Sequence, residues 1–154
     1  MGDTKSIGIA YRDQDIDGGT IGATTPSTGR FTTLSATSLS APTMTASGDL
    51  YIKSATVAAT GSTQGDAAQL AGGFTLVTAA DATKGVKLPA AVAGRVIIIK
   101  NADAANAVLK VYPATDDAIN AIAANSAYSM AAKTSMMLVA YDSTTWYTLP
   151  LLAS

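Results

Sequence analysis

Asp13, Asp15, Asp17 and Gly18, in the run DQDIDGG, have the spacing closest to a recognisable chemistry. Alternate carboxylates followed by glycine open a calcium loop, where side-chain oxygens at the first, third and fifth positions ligate the ion and the glycine makes the turn. The twelfth position is Thr24 rather than a bidentate Glu, and the surroundings do not read as two helices. The expectation is a solvated acidic lead-in whose carboxylates share one side of an extended chain, with no metal site.

The remaining candidates are weaker. Asp116 and Asp117 are adjacent, and adjacent strand residues point to opposite faces, so PATDD (Pro113 to Asp117) reads as a turn rather than an acid–base pair. GSTQGD (Gly61 to Asp66) lacks the Gly-Lys-Ser/Thr of a phosphate loop. Tyr128, Trp146 and Tyr147 are the candidate ligand platform, against the commoner alternative that such rings pack in the core and rim of a small β domain. The chain has no Cys, no His and no Glu, which removes disulfides, thiolate and imidazole metal ligands, and Ser-His-Asp or Cys-His catalysis. An enzyme is not expected, nor a cofactor.

The elements that would have to position these residues are unusual in composition. Ala, Thr, Ser and Gly make up 78 of the 154 residues. In GGTIGATTPSTGRFTTLSATSLS (Gly18 to Ser40) the apolar residues Ile21, Phe31, Leu34 and Leu39, flanked by Ile16 and Met44, sustain neither a helical nor a strand period. Burying each of those six side chains contributes roughly 1.5 to 3 kcal/mol, while ordering the backbone costs roughly 1 to 2 kcal/mol per residue. Alone, the segment cannot hold a fold. It is either a Ser/Thr/Gly linker or a thin β-rich stem completed by identical neighbouring chains, and the five-residue spacing of Leu34, Leu39 and Met44 favours the stem.

With a formal net charge of −1 and 14% charged residues, no basic patch is evident, so nucleic acid is not an expected partner. No run approaches eighteen apolar residues and MGDTKSIGIA lacks a signal-peptide core, so neither a membrane span nor signal-directed export is expected.

From Phe74 onward the pattern changes to short apolar runs separated by turn signals: GFTLVT, GVKLP, GRVIIIKN, AVLKVYP, AYSM, TSMMLVAYD and WYTLP. Val96 to Ile99 form a continuous β-branched run, as in a strand buried on both faces, while Leu109 and Val111 alternate with Val108, Lys110 and Tyr112 as in a half-buried one. Ala121 to Lys133 is expected as loop and strand rather than helix. The whole is all-β: an N-terminal arm and stem over 1–60, a linker over 61–72, and a compact C-terminal β-sandwich or barrel knob over 73–154.

The run from Asp15 to Thr37 resembles an element, DG-x-x-IG-x-TTP-x-x-G-x-FTTL, that recurs in bacteriophage fibre and appendage proteins, and Gly85 to Leu149 resembles a small β module at the end of phage head-fibre, capsid-decoration and tail proteins. The resemblance implies a homotrimer with an intertwined stem and three knobs, and the apolar residues of the stem, Ile16, Ile21, Phe31, Leu34, Leu39 and Met44, are the expected trimer interface. It implies a structural virion protein of a tailed phage, synthesised in the bacterial cytoplasm. The resemblance does not fix the address on the virion; because a trimer matches threefold axes of an icosahedral shell, the expected place is the outer capsid surface, as a decoration, cement or head-fibre protein with the major capsid protein as its partner. With so short a lead-in before the stem, a full-length tail fibre with a long shaft is not expected. The alternative is a receptor-binding tip or short tail appendage recognising a host glycan or protein.

Overall fold

The computed structural model describes residues 34–36, 39–41 and 43–149. The chain divides into two compact units, Met1–Thr45 and Ala46–Ser154. The described residues of the first unit are exposed and form no helix or strand.

The second unit is all-β, with no helix among the described residues. Its strands are β1 (Ser54–Ala58), β2 (Ala68–Gln69), β3 (Gly73–Thr78), β4 (Gly85–Lys87), β5 (Val96–Asn101), β6 (Leu109–Tyr112), β7 (Ala118–Ile119), β8 (Tyr128–Met130), β9 (Ser135–Ala140) and β10 (Thr145–Leu149). They form a six-stranded sheet in the order β1-β3-β5-β9-β10-β7 and a four-stranded sheet in the order β2-β4-β6-β8. From β1 to β9 successive strands alternate between the two sheets. β1, β3 and β5 run parallel in the larger sheet, and β2, β4 and β6 run parallel in the smaller. This is the path of a solenoid-like coil, in which a strand's neighbour in its own sheet is one full turn of chain away. The coil then closes on itself: β8 pairs antiparallel with β6, β9 antiparallel with β5, and β10 returns antiparallel along β9.

One apolar cluster serves both sheets. Val77, Ile97, Ile99, Leu138 and Trp146 come from the larger sheet, and Val86, Leu109, Val111 and Met130 from the smaller, all of them buried. Strand alternation selects these residues, because every second side chain of β3, β5, β6, β9 and β10 points the same way. The expected alternation of Leu109 and Val111 against Lys110 and Tyr112 is present. So is the absence of helix over Ala121 to Lys133.

Other expectations are displaced. The stem boundary at 60 and the linker over 61–72 fall inside the second unit, since β1 and β2 are sheet strands and Ala59, Ala67 and Leu70 are core. Residues as small as those of SATVA carry too little apolar mass to announce a strand. They form one here because β3 offers a complete parallel register from Ser54↔Phe74 to Ala58↔Thr78. That ladder begins where Phe74 N–H donates to Lys53 O at 2.9 Å. Gly73 permits it: its φ is +74°, and a Cβ there would lie 2.2 Å from Lys53 O.

Buried polar groups hold the corners. Asn101 Nδ2 donates to Ala107 O at 3.0 Å, its Oδ1 accepts from Asp103 N–H at 3.2 Å, and Asp103 Oδ2 accepts from Ala107 N–H at 2.9 Å. Left-handed positions fall on Asn106, Asn120 and Asn125, a residue type that tolerates that conformation, and also on Ala79, Ala82, Asp116 and Lys133.

Three exposed turns are built on ionised aspartates. The Thr63 hydroxyl and N–H hold Asp66 below its ordinary pKa, and the Thr83 hydroxyl with the N–H of Lys84 does the same for Asp81. The Thr144 N–H, with help from the Thr145 N–H, lowers Asp142 against the opposing effect of desolvation. A carboxyl depressed in the folded state binds protons less readily than in the unfolded chain, whose Asp titrates near 3.9, so its stabilisation is present above that value and lost as pH falls through the folded pKa. With no His to titrate, melting temperature should be flat from about pH 5 to 8 and fall below about pH 4. Asp81→Asn should be less stable at neutral pH and show a shallower acid fall. Calorimetry across this range checks both, and a melting temperature as high at pH 2.5 as at pH 6 would contradict the account.

Candidate interaction surface

The outward faces of the two sheets differ in chemistry. On the smaller sheet the outward residues are Gln69, Lys87, Lys110, Tyr112 and Ser129. Lys110 Nζ donates to Ser129 Oγ at 2.9 Å and the Tyr112 hydroxyl donates to Ser62 O at 2.9 Å. This is an ordinary solvated face.

On the larger sheet the outward residues are apolar across most of its width. The register aligns Phe74, Ile98, Met137 and Leu149 in one row and Val96, Val139 and Tyr147 in the next. Polar residues border them: Ser54 and Thr56 of β1 align with Phe74 and Leu76, and Leu76 aligns with Lys100 and Ser135, where the Lys100 ammonium donates to Lys133 O. Val96, Met137, Tyr147 and Leu149 are exposed, and Phe74, Ile98 and Val139 are half-buried.

The β-branched run in β5 was therefore misleading in one respect. Ile97 and Ile99 are core, but Val96 is exposed and Ile98 half-buried, because no second layer of described residues covers that face. Parallel sheets usually carry apolar residues on both faces because both are covered. Here the apolar residues are present and no described residue covers them. An apolar face of this kind is a candidate contact surface.

The candidate ligand platform does not assemble. Tyr128 and Trp146 lie in the core cluster and only Tyr147 is on the outer face. Its neighbour is Tyr141, exposed at the sheet's rim, with ring centroids 6.0 Å apart and planes at 77°, an edge-to-face pair. Asp116 and Asp117 are also separated by environment. Asp116 is exposed at φ +65°, while Asp117 is buried and accepts from Ala91 N–H at 2.8 Å, a structural bond between two loops. No cluster of metal-ligating side chains occurs among the described residues.

Of the expected trimer residues, Leu34, Leu39 and Met44 are 56%, 60% and 68% exposed. Ile16, Ile21 and Phe31 lie outside the described residues, as do Asp13, Asp15, Asp17 and Gly18. The outer face of the larger sheet was missed by sequence reasoning, although its signal was available: GFTLVT, VIII and SMMLVA each carry apolar residues in both alternations.

Comparison with protein-family models, curated proteins and solved structures finds no match. No helix among the described residues is long and apolar enough to cross a membrane.

Ile98→Lys and Met137→Lys should leave the β circular dichroism signature intact, because both side chains point away from the core, and should weaken self-association at least tenfold. Sedimentation equilibrium measures this. Unaltered association in both variants would remove the face from any interface.

Proposed function

We propose that this chain is a structural protein of a tailed-bacteriophage virion, a homotrimer that binds the outer capsid surface and stabilises the shell. The observation that carries the reading is the uneven pair of sheet faces, one solvated and one apolar, on a chain whose Leu34, Leu39 and Met44 are also exposed. Both sets of residues need a cover, and other copies of the chain provide it. The sequence resemblance to phage fibre and decoration proteins supports a virion protein, and the match of a trimer to threefold positions favours the capsid surface.

In this reading the stem residues Ile16, Ile21, Phe31, Leu34, Leu39 and Met44 make the trimer interface. Three equivalent copies also match threefold positions on an icosahedral shell, and a ligand that binds only the assembled shell stabilises it by linkage.

The purified trimer should bind saturably to capsids lacking it and raise their resistance to heat. A Phe31→Ser, Leu34→Ser, Leu39→Ser variant should be monomeric with a folded second unit, and should lose capsid affinity by about 10²-fold or more through lost multivalency. Binding to shells and to host cells is measured in parallel. Saturable cell binding without capsid binding would replace this reading with that of a receptor-binding tip.

A further inference from the structure

β1 is the edge of the larger sheet, and it is an unprotected one. Lys53 O and Ala59 N–H are bonded towards β3, which fixes the phase of the strand: Ala55 and Val57 turn their backbone groups inward, and Ser54, Thr56 and Ala58 present theirs to the open edge. No strand of described residues pairs there. Edges are normally blunted by a charge, a proline or a bulge. SATVA has none of these, and its register with β3 is continuous.

Beside this edge lies a groove of about 370 Å³ lined by Ser54, Ala55, Thr56, Phe74 and Leu76. Its lining carries no charge, so it fits an uncharged extended segment whose alternate side chains are large and apolar. The chain carries such a segment directly before β1: Leu50, Tyr51 and Ile52 are 70%, 86% and 52% exposed. In an extended strand Leu50 and Ile52 share one face and Tyr51 takes the other.

That segment cannot reach the edge of its own chain. Only Lys53 separates Ile52 from Ser54, and Lys53 is already bonded to Phe74, whereas the tightest common hairpin needs a two-residue turn between the pairing strands. We propose that Leu50–Ile52 of one copy adds as a strand to the β1 edge of a neighbouring copy, with Leu50 and Ile52 entering the groove of Phe74 and Leu76. The addition rests on the homotrimer reading and deepens it. Repeated around a threefold axis, each copy gives one segment and receives one, a head-to-tail contact that closes. Backbone bonds supply affinity and the groove supplies register.

The chain contains no cysteine, so introduced thiols are unambiguous reporters. L50C or I52C would be co-expressed with a differently tagged S54C or T56C, and the purified protein oxidised. A covalent dimer joining the two tags is expected as the dominant band in at least one of these pairings, and only background in each variant expressed alone. A bond in S54C or T56C alone means that edges meet edge to edge, and overturns the proposal. A protein that is trimeric by light scattering but forms no mixed bond in any pairing overturns the strand addition and leaves the trimer standing. A monomer overturns both.

Discussion

The larger sheet carries apolar side chains on both of its faces, and the described chain supplies a layer for only one. That asymmetry is the constraint on which the rest depends. The inward set, from Val77 through Ile97, Ile99 and Leu138 to Trp146, is closed by the smaller sheet. The outward set, from Phe74 through Ile98 and Met137 to Leu149, is closed by nothing among the described residues. Hydrophobic burial is the main favourable contribution to both folding and association, so the same strands that build the core also present a face that the proposed neighbouring copy would cover.

The coil-like path explains how so small-residued a chain supports such a sheet. Each turn needs only a short strand in either sheet, and the parallel pairing of β1, β3 and β5 stacks those turns in register. Corners are held by local polar bonds rather than apolar mass: Asn101 and Asp103 at one, Asp117 against Ala91 at another, and aspartate–threonine turns at the surface. A coil has two ends, and its first turn leaves β1 as an open strand edge. The apolar face and the open edge meet at the groove of Phe74 and Leu76, so one neighbouring copy can cover both.

Much of this was legible in the sequence where side chains are large. The all-β class followed from strand-length runs, and the half-buried character of β6 from Leu109 and Val111 alternating with Lys110 and Tyr112. β1 and β2 were not legible, because SATVA and AQ take their strand character from the register of a neighbour one coil turn away and not from any period of their own. The contact face was legible only halfway. The run from Val96 to Ile99 correctly announces a strand with two apolar faces, but a single sequence does not say whether the second cover comes from the same chain. Tyr128 and Trp146 are rings whose types suit either a core or a platform, and only the fold decides that they are core.

The most direct test of the central claim is hydroxyl-radical footprinting of the wild-type protein across a dilution series, read residue by residue. Met137 and Tyr147, on the apolar face, should be protected at concentrations where the protein assembles and become reactive on dilution, while Tyr112 on the solvated face should react equally throughout. Met137 and Tyr147 that stay fully reactive at every concentration, in a protein that nonetheless assembles, would contradict the account.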